Sequence, residues 1–217
     1  MQKYYWTVLL LFISFASVAQ QKPFWDEIKA FRTQDSIQQP KDGMVLFIGS
    51  SSFRLWKNMQ HDLQNPTILN RAFGGATLAD VILYQEDVVL KYAPKKIVIY
   101  CGENDIASSE TITPQIVLNR FTTLMQAIRN RFPDTPVVFV SIKPSILRWS
   151  MRDRMIKANA LIADYLSHDA KATFVNIWDK MLQDGLPMKD IFIEDKLHMN
   201  AKGYAIWTKE LKSFVNN

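Results

Sequence analysis

The sequence predicts an α/β protein with three layers, α/β/α, in which helices cover both faces of a five-stranded parallel sheet. Five short apolar segments recur along the chain, and helical patterns separate them. Several of these segments, such as KKIVIYC and PVVFVSI, are almost continuously apolar, which is typical of strands buried on both faces. The predicted strands cover residues 44–49, 67–72, 95–101, 136–142 and 172–177.

Helical patterns precede, separate and follow these strands. A first helix is predicted over residues 24–38, because apolar side chains recur there at helical spacing and Pro40 follows as a stop. The helix over 113–133 begins with Thr113 as N-cap and Pro114 at its first helical position. The remaining predicted helices cover residues 77–94, 148–167 and 200–215. A chain of 217 residues with this alternation suits one domain, which we assign to residues 20–217.

The first 19 residues have the pattern of a secretory signal peptide. Lys3 supplies a positive start, residues 8–18 are apolar, and small residues precede a cleavage site after Ala19. A membrane anchor is the alternative, but the apolar run is short for a spanning helix. We therefore expect an exported protein, periplasmic or secreted after cleavage near Ala19, without a stable membrane anchor.

Composition excludes several classes of function. The formal net charge is only +5, and the basic residues are scattered rather than gathered in a stripe, so a nucleic-acid partner is not expected. The single cysteine, Cys101, allows no internal disulfide. No cluster of His and Cys has metal-ligand spacing, so we expect neither a metal nor another cofactor. Oligomeric state cannot be read from the sequence.

The polar residues that follow the predicted strands are candidates for a site, because parallel α/β sheets bind ligands at the carboxyl ends of their strands. Ser50, Ser51 and Ser52 follow the first strand, in VLFIGSSSFRLW. Two later ends and a C-terminal loop add backbone donors, a side-chain amide, a carboxylate and an imidazole: Gly74, Gly75, Asn104, Asp195 and His198. This set of groups fits acyl-transfer catalysis.

A serine nucleophile needs a base, and histidine is the usual one. The predicted mature chain offers His61, His168 and His198. Only His198 has an acid three residues before it on a predicted loop, Asp195, which can hold the imidazole in the required tautomer. An ordinary surface turn is the alternative for this pair.

The oxyanion of an acyl transfer needs preorganised donors. Gly75 has no side chain to block its backbone N–H, and Asn104 offers an amide NH₂ group. A tight turn at Gly75 and an Asx-turn at Asn104 are the alternatives, and the residues alone favour neither reading.

Four blocks of the sequence resemble the SGNH hydrolases, also called GDSL esterases or lipases. The blocks FIGSSSFRLW, NRAFGGATLAD, YCGENDIA and DKLHMNAKGY occur in the family's order and lie between Val45 and Tyr204. Within that family the chain is most similar to the platelet-activating-factor acetylhydrolase-like esterases. The resemblance implies a flavodoxin-like sheet.

The resemblance also implies roles for individual residues. Ser51 would be the nucleophile, His198 its base and Asp195 the acid that orients His198. The oxyanion hole would consist of the Ser51 N–H, the Gly75 N–H and the Asn104 side chain. The family's Gly-Asp-Ser reads Gly-Ser-Ser here, so the register depends on Ser51 keeping the family's spacing from the glycine. The two flanking serines are expected to cap and shape the turn.

We therefore expect a secreted or periplasmic serine esterase that acts on short acyl or acetyl esters, small molecules or glycans, through an acyl-enzyme on Ser51. A non-catalytic carbohydrate- or lipid-binding module of the same fold and an acyltransferase are the alternatives. Loops at 105–112 and 143–150 are expected to flank the pocket. There, Trp149 could stack on a sugar and Arg148 could bind an anion, although Trp149 could equally pack onto the core.

Overall fold

The computed structural model describes residues 22–216, so the predicted signal peptide over residues 1–19 lies outside the described residues. One parallel sheet with the strand order β2-β1-β3-β4-β5 forms the centre of the molecule. Its strands are β1 (Val45–Gly49), β2 (Ile68–Asn70), β3 (Lys96–Tyr100), β4 (Val137–Val140) and β5 (Ala172–Val175). Each strand lies within its predicted segment, and the predicted three-layer fold is confirmed.

Helices flank the sheet on both faces. They are α1 (Trp25–Ile37), α2 (Ser51–Arg54), α3 (Met59–Asp62), α4 (Leu78–Leu83), α5 (Glu103–Ser108), α6 (Pro114–Arg131), α7 (Arg152–Ser167) and α8 (Ala201–Asn216). A short hairpin of β6 (Leu182–Gln183) and β7 (Leu186–Pro187) precedes α8. Within residues 22–216, no helix combines the length and the apolar character needed to cross a membrane.

Two segments differ from the sequence-based expectation. The helix predicted over 77–94 is divided into α4 and a separate π-helical turn at Glu86–Leu90. Apolar periodicity does not distinguish a continuous α-helix from an α-helix followed by a π turn, because the π turn still buries its two valines. The predicted loop over 105–112 begins inside α5, whose short helical segment follows Gly102.

The continuous apolar runs of the strands have a direct structural cause. Successive side chains of a strand point to opposite faces, and both faces of this sheet are covered. On β1, Leu46 and Ile48 pack into the core beneath α1, α4, α6 and α7, whereas Val45 and Phe47 pack into the core beneath α2, α3 and α8. All four side chains are fully buried.

The end of β1 requires a glycine. Gly49 has a φ of +126°, and a Cβ at this position would lie 1.9 Å from the carbonyl oxygen of Tyr100 on β3. A residue without a side chain is therefore needed for β1 to end against β3 and turn into α2. This turn brings Ser51 to the carboxyl edge of the sheet, where the loops after β2 and β3 also begin.

Candidate active site

Ser51 is the first residue of α2, and its two serine neighbours are buried while it is partly exposed. The backbone of Ser50 shapes the turn: its N–H donates to the Tyr100 carbonyl (3.0 Å), and its carbonyl accepts from the N–H of Phe53 (3.0 Å). The Ser50 side chain makes no capping hydrogen bond, so the expected hydroxyl cap at this position is not found. Ser52 is buried, and its carbonyl accepts a hydrogen bond from the Tyr204 hydroxyl (2.9 Å). Of the three serines, Ser51 is the one in contact with a histidine.

His198 lies between Ser51 and Asp195. Its Nε2 is 2.9 Å from Ser51 Oγ, and its Nδ1 is 2.5 Å from Asp195 Oδ2. Serine, histidine and aspartate thus form a continuous hydrogen-bonded chain, with 147 positions separating Ser51 from His198. His198 is therefore in the position that a general base needs to take the serine proton.

The loop around Asp195 keeps its carboxylate in place and ionised. Asp195 Oδ1 accepts the backbone N–H groups of Leu197 (2.9 Å) and His198 (2.8 Å). Partial burial alone would raise the pKa of Asp195, but the hydrogen bonds from the His198 side chain and from these two N–H groups outweigh it and lower that pKa. The loop includes Lys196 at a φ of +59°, in the left-handed region that costs a non-glycine residue free energy.

Two of the predicted oxyanion donors are adjacent at the same edge of the sheet. The N–H of Phe73 donates to the Gly49 carbonyl (3.1 Å) and so brings the loop after β2 alongside the end of β1. A Cβ on Gly75 would lie 3.8 Å from Nδ2 of Asn104, so the bare backbone of Gly75 faces the Asn104 amide. The N–H of Ser51, at the first position of α2, is the third predicted donor; such N–H groups have no partner within their own helix.

Glu27 on α1 holds the segment Gly74–Gly75, which we call the oxyanion loop. Its Oε1 accepts the N–H of Gly74 (3.0 Å), and its Oε2 pairs with Nε of Arg54 (2.5 Å). Since Arg54 lies in the same short helix as Ser51, one carboxylate connects the oxyanion loop to the helix that carries Ser51. Sequence reasoning missed Glu27, because nothing in its local pattern distinguishes it from any other charge on α1.

A buried group of charges lies beneath the site. Glu103 accepts hydrogen bonds from the Tyr100 hydroxyl (2.7 Å), Lys143 Nζ (2.9 Å) and Ser145 Oγ (3.2 Å). Burial alone would raise the pKa of Glu103, but the positive charges of Lys143 and Arg148 outweigh it and lower that pKa. Sequence reasoning also missed the ion pair of Glu103 and Lys143. Lys143 is a polar residue just after β4, so a search of the polar residues that follow each strand could have identified it.

The structure gives Arg148 and Trp149 protein partners. Arg148 Nη1 donates to Oδ1 of Asn104 at 2.9 Å. The ring of Trp149 stacks on Trp178, with centroids 6.0 Å apart, and the Arg152 guanidinium lies over it at 5.4 Å. This arrangement corresponds to the core-packing alternative for Trp149.

The other two histidines have partners elsewhere. His61 is highly exposed and its Nδ1 lies 3.2 Å from Asp62, whereas Nδ1 of His168 lies 2.8 Å from the Asp164 carbonyl at the end of α7. Among residues 22–216, no group of three or more His, Cys, Asp or Glu side chains is arranged to hold a metal ion.

Comparison with known structures supports the fold. A protein of Streptococcus pneumonia described as a platelet activating factor has a TM-score of 0.77 at 21% identity, over 88% of this chain and 91% of that chain. A GDSL-like lipase from Bacteroides thetaiotaomicron has a TM-score of 0.72 at 20% identity, over 87% and 96%. An acetylxylan esterase from Geobacillus stearothermophilus has a TM-score of 0.64 at 13% identity, over 82% and 96%. No curated protein matches the sequence.

A family model identifies the chain more specifically than these distant structures. Residues 35–206 match the model of the GDSL-like Lipase/Acylhydrolase family, which covers most of the described chain. The four sequence blocks lie within the matched residues, and so do Ser51, Asp195 and His198. The chain therefore belongs to the GDSL-like lipase/acylhydrolase family of carboxylic ester hydrolases.

Proposed function

We propose that the protein is an exported serine esterase that hydrolyses short acyl esters, acetyl esters among them, through an acyl-enzyme on Ser51. One observation carries the proposal: the hydrogen-bonded chain from Ser51 Oγ through His198 to Asp195. A serine hydroxyl is a weak nucleophile until a base removes its proton, and this arrangement supplies the base and orients it. Membership of an acylhydrolase family supports an ester as the substrate.

In the first half-reaction, Ser51 Oγ bonds to the ester carbonyl carbon while its proton passes to His198 Nε2. The carbonyl electron pair moves onto oxygen, and the N–H groups of Ser51 and Gly75 and the Asn104 amide stabilise the oxyanion. When the intermediate collapses, the carbon–oxygen bond to the alcohol breaks, and His198 returns the proton to the departing oxygen. The acyl group remains on Ser51.

Water completes the cycle by the same route. His198 removes a proton from water, the resulting hydroxide attacks the acyl carbon, and the bond to Ser51 Oγ breaks as the serine regains its proton. The ionised Asp195 stabilises the positive charge that His198 carries in both half-reactions. His198 accepts and then returns the proton in each half-reaction of this scheme.

The similarity to an acetylxylan esterase favours acetyl groups on a carbohydrate as the substrate. A direct test is the hydrolysis of p-nitrophenyl acetate, butyrate and octanoate by the mature protein. We expect the acetate and butyrate to be cleaved faster than the octanoate. A preference for octanoate would contradict the short-acyl assignment, and acetylated xylan would then be an unsuitable next substrate.

Ser51→Ala tests the mechanism, and Ser50→Ala is its matched control. Both changes remove one hydroxyl from the same turn, but only the Ser51 hydroxyl contacts His198. We expect Ser51→Ala to abolish hydrolysis and Ser50→Ala to retain it. The opposite result would move the nucleophile by one position, and activity in both variants would overturn the proposed mechanism.

Export is proposed from the pattern of residues 1–19. Mass spectrometry of the protein from the periplasmic and extracellular fractions of expressing cells would test it. A mature N-terminus at Gln20 is expected. Intact chains beginning at Met1 and confined to the cytoplasm would contradict this proposal without affecting the catalytic one.

A further inference from the structure

The orientation of the Asn104 amide decides whether this residue can act in an oxyanion hole. An amide has a donor side and an acceptor side, and only the NH₂ side can stabilise an oxyanion. Oδ1 of Asn104 accepts from Arg148 Nη1 (2.9 Å), and Nδ2 donates to the Ala76 carbonyl (3.1 Å). A guanidinium only donates and a carbonyl only accepts, so both partners require the same orientation. The NH₂ group therefore faces Gly75.

Arg148 is itself held from behind. Its Nη1 lies 3.5 Å from Oε1 of Glu103, and the Arg148 side chain is only 16% exposed. Glu103 stays ionised because Lys143 and Arg148 lower its pKa against the effect of burial. A buried carboxylate of fixed charge thus holds the guanidinium against the Asn104 carbonyl oxygen.

The loop that carries Arg148 is also tied to the catalytic histidine loop. The N–H of Leu147 donates to the Lys196 carbonyl (3.0 Å), between Asp195 and His198. This backbone bond limits the movement of Arg148 relative to the histidine. The position of the guanidinium is therefore determined from two sides, by Glu103 and by the 195–198 loop.

We propose that Arg148 is a positioning residue for the esterase reaction, which orients the Asn104 amide so that its NH₂ group points into the oxyanion hole. The inference rests on the proposed function of Ser51 and Asn104. It assigns Arg148 to the protein's own catalytic geometry rather than to the binding of a substrate anion. Without Arg148, the amide loses the partner that holds its oxygen away from the hole.

Steady-state kinetics with p-nitrophenyl acetate test this role. Arg148→Met removes the donor, Arg148→Lys keeps a cationic donor, and Arg131→Met is a control because Arg131 is exposed and lies over the Phe132 ring. We expect kcat to fall about tenfold or more in Arg148→Met, with little change in KM, since oxyanion donors typically contribute about 10²-fold to kcat. Arg148→Lys should retain more activity, and Arg131→Met should match the wild type.

A double-mutant cycle separates positioning from a general structural effect. If Arg148 acts through Asn104, then Arg148→Met should cause no further loss in an Asn104→Ala background. Equal losses in both backgrounds would overturn the proposal. It would also be overturned if Arg148→Met left acetate hydrolysis intact and raised KM only for an anionic ester such as mono-p-nitrophenyl succinate.

A second measurement does not depend on esterase activity. In ¹H–¹⁵N spectra, the side-chain NH₂ pair of Asn104 can be identified by its absence from Asn104→Ala. We expect this pair to shift in Arg148→Met and to stay unchanged in Arg131→Met. Unchanged Asn104 NH₂ signals in a folded Arg148→Met protein would refute the positioning role, even if no substrate were found. A wild-type protein without esterase activity would count only against the proposed function.

Discussion

Replacement of Asp195 by Asn changes one atom of the site and should reverse the histidine tautomer. Asp195 Oδ1 is held by the backbone N–H groups of Leu197 and His198, at 2.9 and 2.8 Å. In Asp195→Asn these two donors retain the amide oxygen, so the NH₂ group must face His198 Nδ1. An NH₂ group only donates, so Nδ1 becomes the acceptor and the ring proton moves to Nε2.

The expected loss of rate follows from this tautomer. Nε2 lies 2.9 Å from Ser51 Oγ, and once protonated it cannot accept the serine proton. The same change in the triad of serine proteases lowers kcat by about 10⁴, which corresponds to about 5 kcal/mol of transition-state stabilisation. Asp195→Ala should cost less, because an unconstrained His198 can still present an unprotonated Nε2.

The assay is kcat for p-nitrophenyl acetate, with the folded state checked by thermal unfolding. Asp190→Asn is a matched control, because Asp190 is exposed and pairs with Lys202 outside the site. We expect kcat to be highest in Asp190→Asn, lower in Asp195→Ala and lowest in Asp195→Asn. If Asp195→Asn kept its kcat within tenfold of the wild type, or exceeded Asp195→Ala, the tautomer argument would be refuted.

Three further predictions concern the scaffold of the site. Gly49→Ala should destabilise the protein by about 3–5 kcal/mol in urea unfolding, because its Cβ would lie 1.9 Å from the Tyr100 carbonyl oxygen. Gly43→Ala is the control: Gly43 has a φ of +79° but no atom within 4 Å of a Cβ, so it should cost about 1 kcal/mol. Similar losses in the two variants would refute the steric argument. Glu27→Ala should lower kcat about threefold to tenfold, since the Gly74 N–H of the oxyanion loop loses its acceptor, and Glu27→Gln should keep more activity. An unchanged kcat in Glu27→Ala would show that α1 does not hold the oxyanion loop in place. Lys143→Met should cost about 3–5 kcal/mol at neutral pH, because it leaves Glu103 buried with one cation fewer. In the wild type the lowered pKa of Glu103 contributes stability above its unfolded pKa, and this stability is lost as the pH falls through the folded pKa. In the variant the pKa of Glu103 should rise instead, so the deficit in unfolding free energy should shrink towards about pH 5; a deficit that does not change with pH would contradict this.

Much of the fold could be predicted because burial leaves a local signal. Strands covered on both faces are almost continuously apolar, as β1 and β4 are, and the five runs that predict strands contain β1 to β5. The signal fails where an element is too short to show a period, as in the hairpin of β6 and β7, which has two residues in each strand. It also fails at Glu86–Leu90, where a π turn buries the same valines that an α-helix would bury.

The residues of the site could be predicted more readily than their contacts. Ser51, Asn104 and His198 stand in short motifs at strand ends or loops, where sequence alone suggests chemistry. Glu27 and Lys143 stand in no such motif. Glu27 accepts the N–H of Gly74, 47 positions away, and Lys143 donates to Glu103, 40 positions away. Such pairs form because the sheet brings distant loops to one edge.

The sequence by itself determined the number of strands, their positions along the chain and the groups that follow them: a hydroxyl, two glycines, an amide, a carboxylate and an imidazole. Only the tertiary structure decided which of three serines meets His198 and which side of the Asn104 amide faces the Gly75 backbone. The physical reason is that apolar periodicity shows which segments are buried, and burial does not depend on the exact position or direction of individual polar atoms. Hydrogen bonds depend on a few tenths of an ångström and on direction, and these are set by contacts between segments far apart in the chain.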